Sequence, residues 1–126
     1  MLKALTILFL TISNLAFADD ASGFTPHKPT DFIKSLDQDP ETGKKVYQAF
    51  CGLCHDIKPS IPVGAPRFGV MEDWAKRMGK GLDEIYKNLD EGIGAMPARG
   101  GCFECTDEML KSAMIYMMPE ELLKNE

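Results

Sequence analysis

Four cysteines and two histidines are the side chains here best suited to bind a metal or do thiol chemistry, and their spacing tells them apart. Residues 51–55 read Cys51-Gly52-Leu53-Cys54-His55. Two thiols three positions apart, followed at once by an imidazole, form the attachment signature for c-type haem. Each thiol reaches one of the two vinyl groups on a porphyrin edge and forms a thioether. His55 is then held under the iron as proximal ligand. The plainer readings are a bare disulfide or half of a zinc site. Zinc needs about four ligands, and the chain offers no convincing second His/Cys pair. A thioredoxin-like site expects strands alternating with helices, and no strand pattern is visible.

A haem held on one side by His55 leaves the question of its sixth ligand. The chain has eight methionines, and all but two fall in predicted helices, where core packing is the default. Met1 belongs to the signal peptide read at the start of the chain. Met96 lies in a glycine-containing loop, Gly92-Ile93-Gly94-Ala95-Met96-Pro97, with Pro97 stiffening the backbone after it. Met96 is therefore the expected axial partner of His55. A loop methionine that only covers the haem edge is the alternative, and His27 is a rival ligand that would have to fold back from the leader.

Cys102 and Cys105 form a second C-x-x-C, but Thr106 follows it where a haem site needs histidine. Two thiols in an oxidising compartment at the start of a helix are read as a disulfide that pins the Met96 loop to the last helix; its closed loop is too short for a large entropic gain. A redox-active dithiol is the sharper reading. Trp74 is the sole tryptophan. It is either core, or a donor whose indole N–H meets a haem propionate, because a buried indole needs a partner.

These residues need elements to position them. Gly43, Val46, Tyr47 and Phe50 recur at helical spacing and predict a helix ending near Cys51. Met71, Trp74 and Met78 predict a second, closed by Gly79-Lys80-Gly81. Leu82, Ile85, Tyr86 and Leu89 predict a third, closed at Gly92. Thr106 caps a last helix with Asp107 and Glu108 in its first turn, an apolar face of Leu110, Ala113, Met114 and Met117, and Pro119 as its stop. Residues 57–70 and 92–101 read as loops, longer than a small domain carries without a use for them. The apolar faces are too sparse for a tight bundle, so something apolar is expected in the middle.

The start of the chain reads as an address. Lys3, an apolar run from Ala4 to Ile12, and Ala16-Phe17-Ala18 make a secretory signal peptide over 1–18, cleaved after Ala18. The run is shorter than the roughly 20 residues of a membrane span, so no stable membrane insertion is expected, although an uncleaved signal acting as anchor is the alternative. Residues 19–40 hold three prolines and read as a polar leader with little helix before Asp39-Pro40. Residues 41–126 then make one domain of a 126-residue chain. A net charge of -5 argues against nucleic-acid binding.

Three stretches resemble the class I c-type cytochromes, and within them the bacterial cytochrome c5 group, over roughly residues 41–118. They are Phe50 with the 51–55 motif, Ala65-Pro66-Arg67-Phe68-Gly69 with Trp74 beyond it, and the block from Ala95-Met96-Pro97 through Cys102-Phe103-Glu104-Cys105-Thr106. The last block looks like the group's disulfide just past the axial methionine. The resemblance implies an all-α cytochrome c fold, about four helices around one covalently bound haem c. It implies His55/Met96 ligation, with the Pro66 carbonyl accepting from His55 Nδ1–H. It implies crossed first and last helices, Gly43 allowing their approach and Phe50 and Tyr116 packing there, and it favours the propionate role for Trp74.

The expected function is a periplasmic one-electron carrier and not an enzyme, shuttling between a quinol-oxidising complex and a terminal oxidase or reductase, as a monomer or weak dimer. The other readings are a haem subunit of a larger oxidoreductase, or a five-coordinate haem enzyme or gas sensor. Lys76, Arg77 and Lys80 beside Trp74 are either a solvated helix face or a docking rim.

Overall fold

Helix α1 spans Pro29–Leu36, α2 Thr42–Val46, α3 Gly52–His55, α4 Met71–Met78, α5 Leu82–Glu91, α6 Asp107–Met117 and α7 Glu120–Leu123. These come from a computed structural model that describes residues 28–124. The signal peptide read over 1–18, the first part of the leader and His27 lie outside the described residues. Among the described residues there is no strand, only an isolated bridge between Ile93 and Met96. The all-α expectation holds.

The leader expectation does not hold over 29–36. Pro29 stands in the first turn of α1, where a missing N–H costs nothing and a fixed φ favours the helix. Leu36 is buried, and Phe32 and Ile33 pack against the core. Phe32 meets Phe50 edge-on at 5.6 Å between ring centroids.

The predicted first helix runs further than its apolar spacing suggests. From α2 the chain passes through a π-helical turn, Tyr47–Cys51, directly into α3. The helix therefore ends at His55 and not near Cys51. Such widened turns occur at functional sites, and this one carries the chain into the Cys51–His55 motif.

Helix α2 lies against α6, with Gly43 at the contact. A Cβ on Gly43 would stand 2.5 Å from the Ser112 carbonyl oxygen, so only glycine permits this approach. Tyr116 packs at the crossing against Tyr47 and Phe68, at 5.6 Å and 5.2 Å between centroids. Phe50 packs against the core and meets Phe32 of α1, as described above.

Helices α4, α5 and α6 fall where the sequence sets them. The Thr106 hydroxyl accepts from the Met109 N–H at 3.3 Å, a side-chain N-cap. Pro119 ends α6 and begins α7, whose Leu122 and Leu123 pack back on the core. The core joins Leu36, Val46, Trp74, Leu89, Leu110, Ala113, Met114 and Met117.

Candidate functional site

A cleft of about 570 Å³ opens between the helices, within the range of small-molecule and cofactor sites. His55 and Met96 both line it, His55 at the end of α3 and Met96 in the loop after α5. Between them the wall is largely apolar: Trp74 from α4, Ile85 and Leu89 from α5, Met114 and Met117 from α6. The sparse apolar faces seen in the sequence are thus the walls of this space.

His55 is buried, and its ring is fixed from one side. Nδ1–H donates to the Pro66 carbonyl at 2.8 Å. Phe68 N–H returns a bond to the His55 carbonyl at 2.6 Å, so the 65–69 loop and the end of α3 hold each other. Burial pushes the imidazole pKa down, the nearby Arg77 adds to this, and the bond to Pro66 opposes it. A neutral ring with Nδ1 committed has its lone pair on Nε2, the form that ligates metal.

The Pro66 loop has its own anchor. Arg67 donates Nε–H to Asp73 Oδ2 at 2.7 Å and a second guanidinium bond to Oδ1 at 3.2 Å; its backbone N–H adds a third bond to Oδ2 at 3.1 Å. These bonds hold the Asp73 carboxyl down at about 2. Trp74 is buried and its ring stacks near His55, 6.4 Å between centroids. Its Nε1–H donates to the Arg67 carbonyl at 2.8 Å. The donor assigned from sequence to a haem propionate is thus spent inside the protein, on the loop that holds His55.

Cys51 and Cys54 are both free thiols, Cys51 buried and Cys54 half-buried. Burial, then the neighbouring Cys54, pushes the Cys51 thiol up to about 11. Cys102 and Cys105 are joined, S–S 2.01 Å, just before α6. Among the described residues no group of three or more His, Cys, Asp or Glu side chains could hold a separate metal ion. The chemistry of the donor set suits a covalent haem: two unpaired thiols one turn apart, a neutral imidazole beside them, and a thioether in the opposite loop of one apolar cleft.

The Met96 loop is tightly folded. Ile93 and Met96 exchange backbone bonds of 3.1 and 3.0 Å. A Cβ on Gly92 (φ 83) would stand 2.8 Å from the Met96 carbonyl oxygen and the Ala98 nitrogen. Lys76, Arg77 and Lys80 line the cleft together with Glu84, so the cationic group beside Trp74 forms part of its lip. The sequence reading missed two cross-links: Arg67 with Asp73, and Arg99 with Asp90 and Asp107. Both join residues without a local pattern, and only the presence of arginine inside each signature stretch pointed to them.

Comparison with known proteins gives the same direction. The family model described as "Cytochrome C oxidase, cbb3-type, subunit III" matches residues 38–117. A cytochrome c-555 of Chlorobaculum thiosulfatiphilum is 36% identical over 84 residues, covering 64% of this chain and 94% of that protein. A cytochrome c5 of Ectopseudomonas mendocina is 36% identical over 69 residues, 53% of this chain and 76% of the relative. One solved chain superposes with a TM-score of 0.54 at 34% identity, covering 63% of this chain and 91% of its own. It comes from a crystal structure of an electron transfer complex of nitrite reductase with cytochrome c.

Proposed function

This chain belongs to the class I monohaem c-type cytochromes, and from that premise we propose that it carries single electrons between redox proteins of the periplasm. Its cofactor is one covalently bound haem c, which supplies a one-electron Fe(III)/Fe(II) couple when bound. Cys51 and Cys54 hold the group by thioethers. His55 Nε2 and the Met96 thioether, both in the lining of the cleft, would be the protein donors to its iron. Pro66 keeps the imidazole oriented, burial favours its neutral form, and the walls from α4, α5 and α6 exclude water. A methionine donor together with His55 would set a high potential. The single observation that carries the proposal is the shared cleft with His55 and Met96 both in its lining.

With His55 and Met96 both bound, the iron would have no place for substrate, which separates a carrier from an enzyme or gas sensor. The test is the reduced protein under carbon monoxide. A carrier leaves the spectrum unchanged, whereas rapid uptake of the gas would establish an open iron site and end the proposal. The periplasmic address rests on the signal peptide read over 1–18; among the described residues no helix is long and apolar enough to cross a membrane. The nitrite reductase complex among similar structures supports a reductase as one kind of partner. The Lys76, Arg77 and Lys80 lip would steer a partner with an acidic docking face into a weak, salt-sensitive encounter.

The family model's description favours one further reading, a haem subunit within a larger oxidase. Co-purification at fixed stoichiometry supports that reading, and a freely monomeric or weakly dimeric protein supports the shuttle.

A further inference from the structure

Met96 has to stay in place for the iron to stay closed, and its loop packs against α5 and the core while few directional bonds tie it to the helices beside it. The backbone bonds of the loop are local: Ile93 with Met96, Gly100 N–H to the Pro97 carbonyl, Cys102 N–H to the Arg99 carbonyl. The Cys102–Cys105 bond spans a separation of 3 in sequence. It stiffens the entry to α6 and packs into the core, but its covalent span does not reach α5. Arg99 does reach it. Its guanidinium donates to Asp90 in α5 at 2.5 Å, to the Cys105 carbonyl at 2.8 Å and to Asp107 in the first turn of α6 at 3.1 Å. The Arg99 side chain is only 22% exposed.

The backbone at this point is also unusual. Arg99 has φ 56 and ψ 22, and Gly100 and Gly101 follow at φ 58 and φ 86. Two glycines occupy this left-handed region freely, while a residue with a side chain is held there at a cost. A residue that persists in such a conformation is over-determined by its surroundings. The three guanidinium bonds are that determination. A planar fork matches three acceptors at fixed angles in a way that an ammonium does not.

We propose that Arg99 is the positioning residue for Met96: its guanidinium clamps the Met96 loop between α5 and α6 and sets how often the thioether leaves the cleft. The inference rests on Met96 being the axial ligand. Removing the guanidinium frees the loop and leaves Asp90 and Asp107 as two facing negative charges. An external ligand that binds only when Met96 is away then binds more tightly, in proportion to the fraction of open loop.

The test is an imidazole titration of the ferric holoprotein, followed by loss of the far-red charge-transfer band of methionine-ligated iron. Arg99→Gln is expected to raise the apparent imidazole affinity about tenfold to a hundredfold, the range set by losing hydrogen bonds to a charged group. Arg99→Lys falls between Arg99→Gln and wild type. Lys87→Gln removes an exposed cation from α5 and leaves the affinity unchanged. Should Arg99→Gln not fold, Asp90→Asn and Asp107→Asn each remove one arm and leave the Cys105 carbonyl bond, and a several-fold rise is expected in both. A structural role alone would lower the urea midpoint without moving the imidazole affinity. That result, or Arg99 variants within twofold of wild type in affinity, overturns the clamp. A wild type that lacks the charge-transfer band overturns the Met96 ligation itself, and the clamp with it.

Discussion

Replacing Gly43 by alanine tests the helix crossing that frames the cleft. Alanine is worth about 1 kcal/mol over glycine inside an exposed helix, so local propensity alone predicts a more stable protein. The contact with α6 reverses the sign. The added Cβ would stand 2.5 Å from the Ser112 carbonyl oxygen, 2.8 Å from its carbon and 3.3 Å from Tyr116 Cβ. The first two are backbone atoms, so no rotamer change relieves them and the helices must move apart. Overpacking costs about 1–3 kcal/mol, and a rigid backbone neighbour puts this case at the upper end. Net destabilisation is then about 2 kcal/mol, or roughly 10 °C in Tm for a domain of this size. Urea unfolding followed by far-ultraviolet circular dichroism measures it, with an unchanged m-value expected. Gly79→Ala is the companion. Gly79 has φ -58, and its added Cβ meets nothing closer than the Lys76 carbonyl at 3.9 Å; a gain of up to about 1 kcal/mol is expected. Gly43→Ala at wild-type stability would refute the reasoning.

Other outcomes follow from the anchors of the site. The Asp73 carboxyl is lowered from 3.8 to about 2, first by its bond from the Arg67 side chain. Its stabilisation is therefore complete above about pH 4 and is lost as pH falls toward 2; acid unfolding of Asp73→Asn should be flatter across that window, and identical acid limbs would contradict the pairing. Replacing both Cys102 and Cys105 by serine should cost about 2 kcal/mol, the loop-entropy value for so short a cross-link, while the helical circular dichroism of the native state stays the same. Trp74→Phe removes the indole bond to the Arg67 carbonyl, which also accepts from the Val70 N–H at 3.2 Å, and should cost about 1 kcal/mol in urea unfolding; a cost near zero would mean that the indole bond adds nothing to stability.

What was legible in the sequence is what is local. The 51–55 motif, the Thr106 cap, the Gly79-Lys80-Gly81 stop and the apolar stripes of α4, α5 and α6 each lie within a few residues, so spacing reveals them. Helix α1 was also local, but its signal was overridden: the prolines of the 19–40 segment suggested irregular chain, although Pro29 sits where proline starts a helix. The end of the first long helix was misplaced because a π-helical turn breaks the 3.6-residue period that locates helix ends. The cross-links were not legible at all. Arg67 finds Asp73 across a loop, Arg99 finds Asp90 and Asp107 on two helices, and Tyr116 finds Tyr47. None of these pairings has a fixed spacing, because the folded path of the chain decides them. The Trp74 indole shows the same lesson: its need for an acceptor was evident, but the acceptor is a neighbouring carbonyl.

The most direct measurement is the optical spectrum of the ferric holoprotein, wild type beside Met96→Ala. His55/Met96 ligation requires a weak far-red charge-transfer band in the wild type that is absent in the variant, with the reduced variant, unlike the wild type, taking up carbon monoxide. A band that survives Met96→Ala, or a wild type without one, would contradict it.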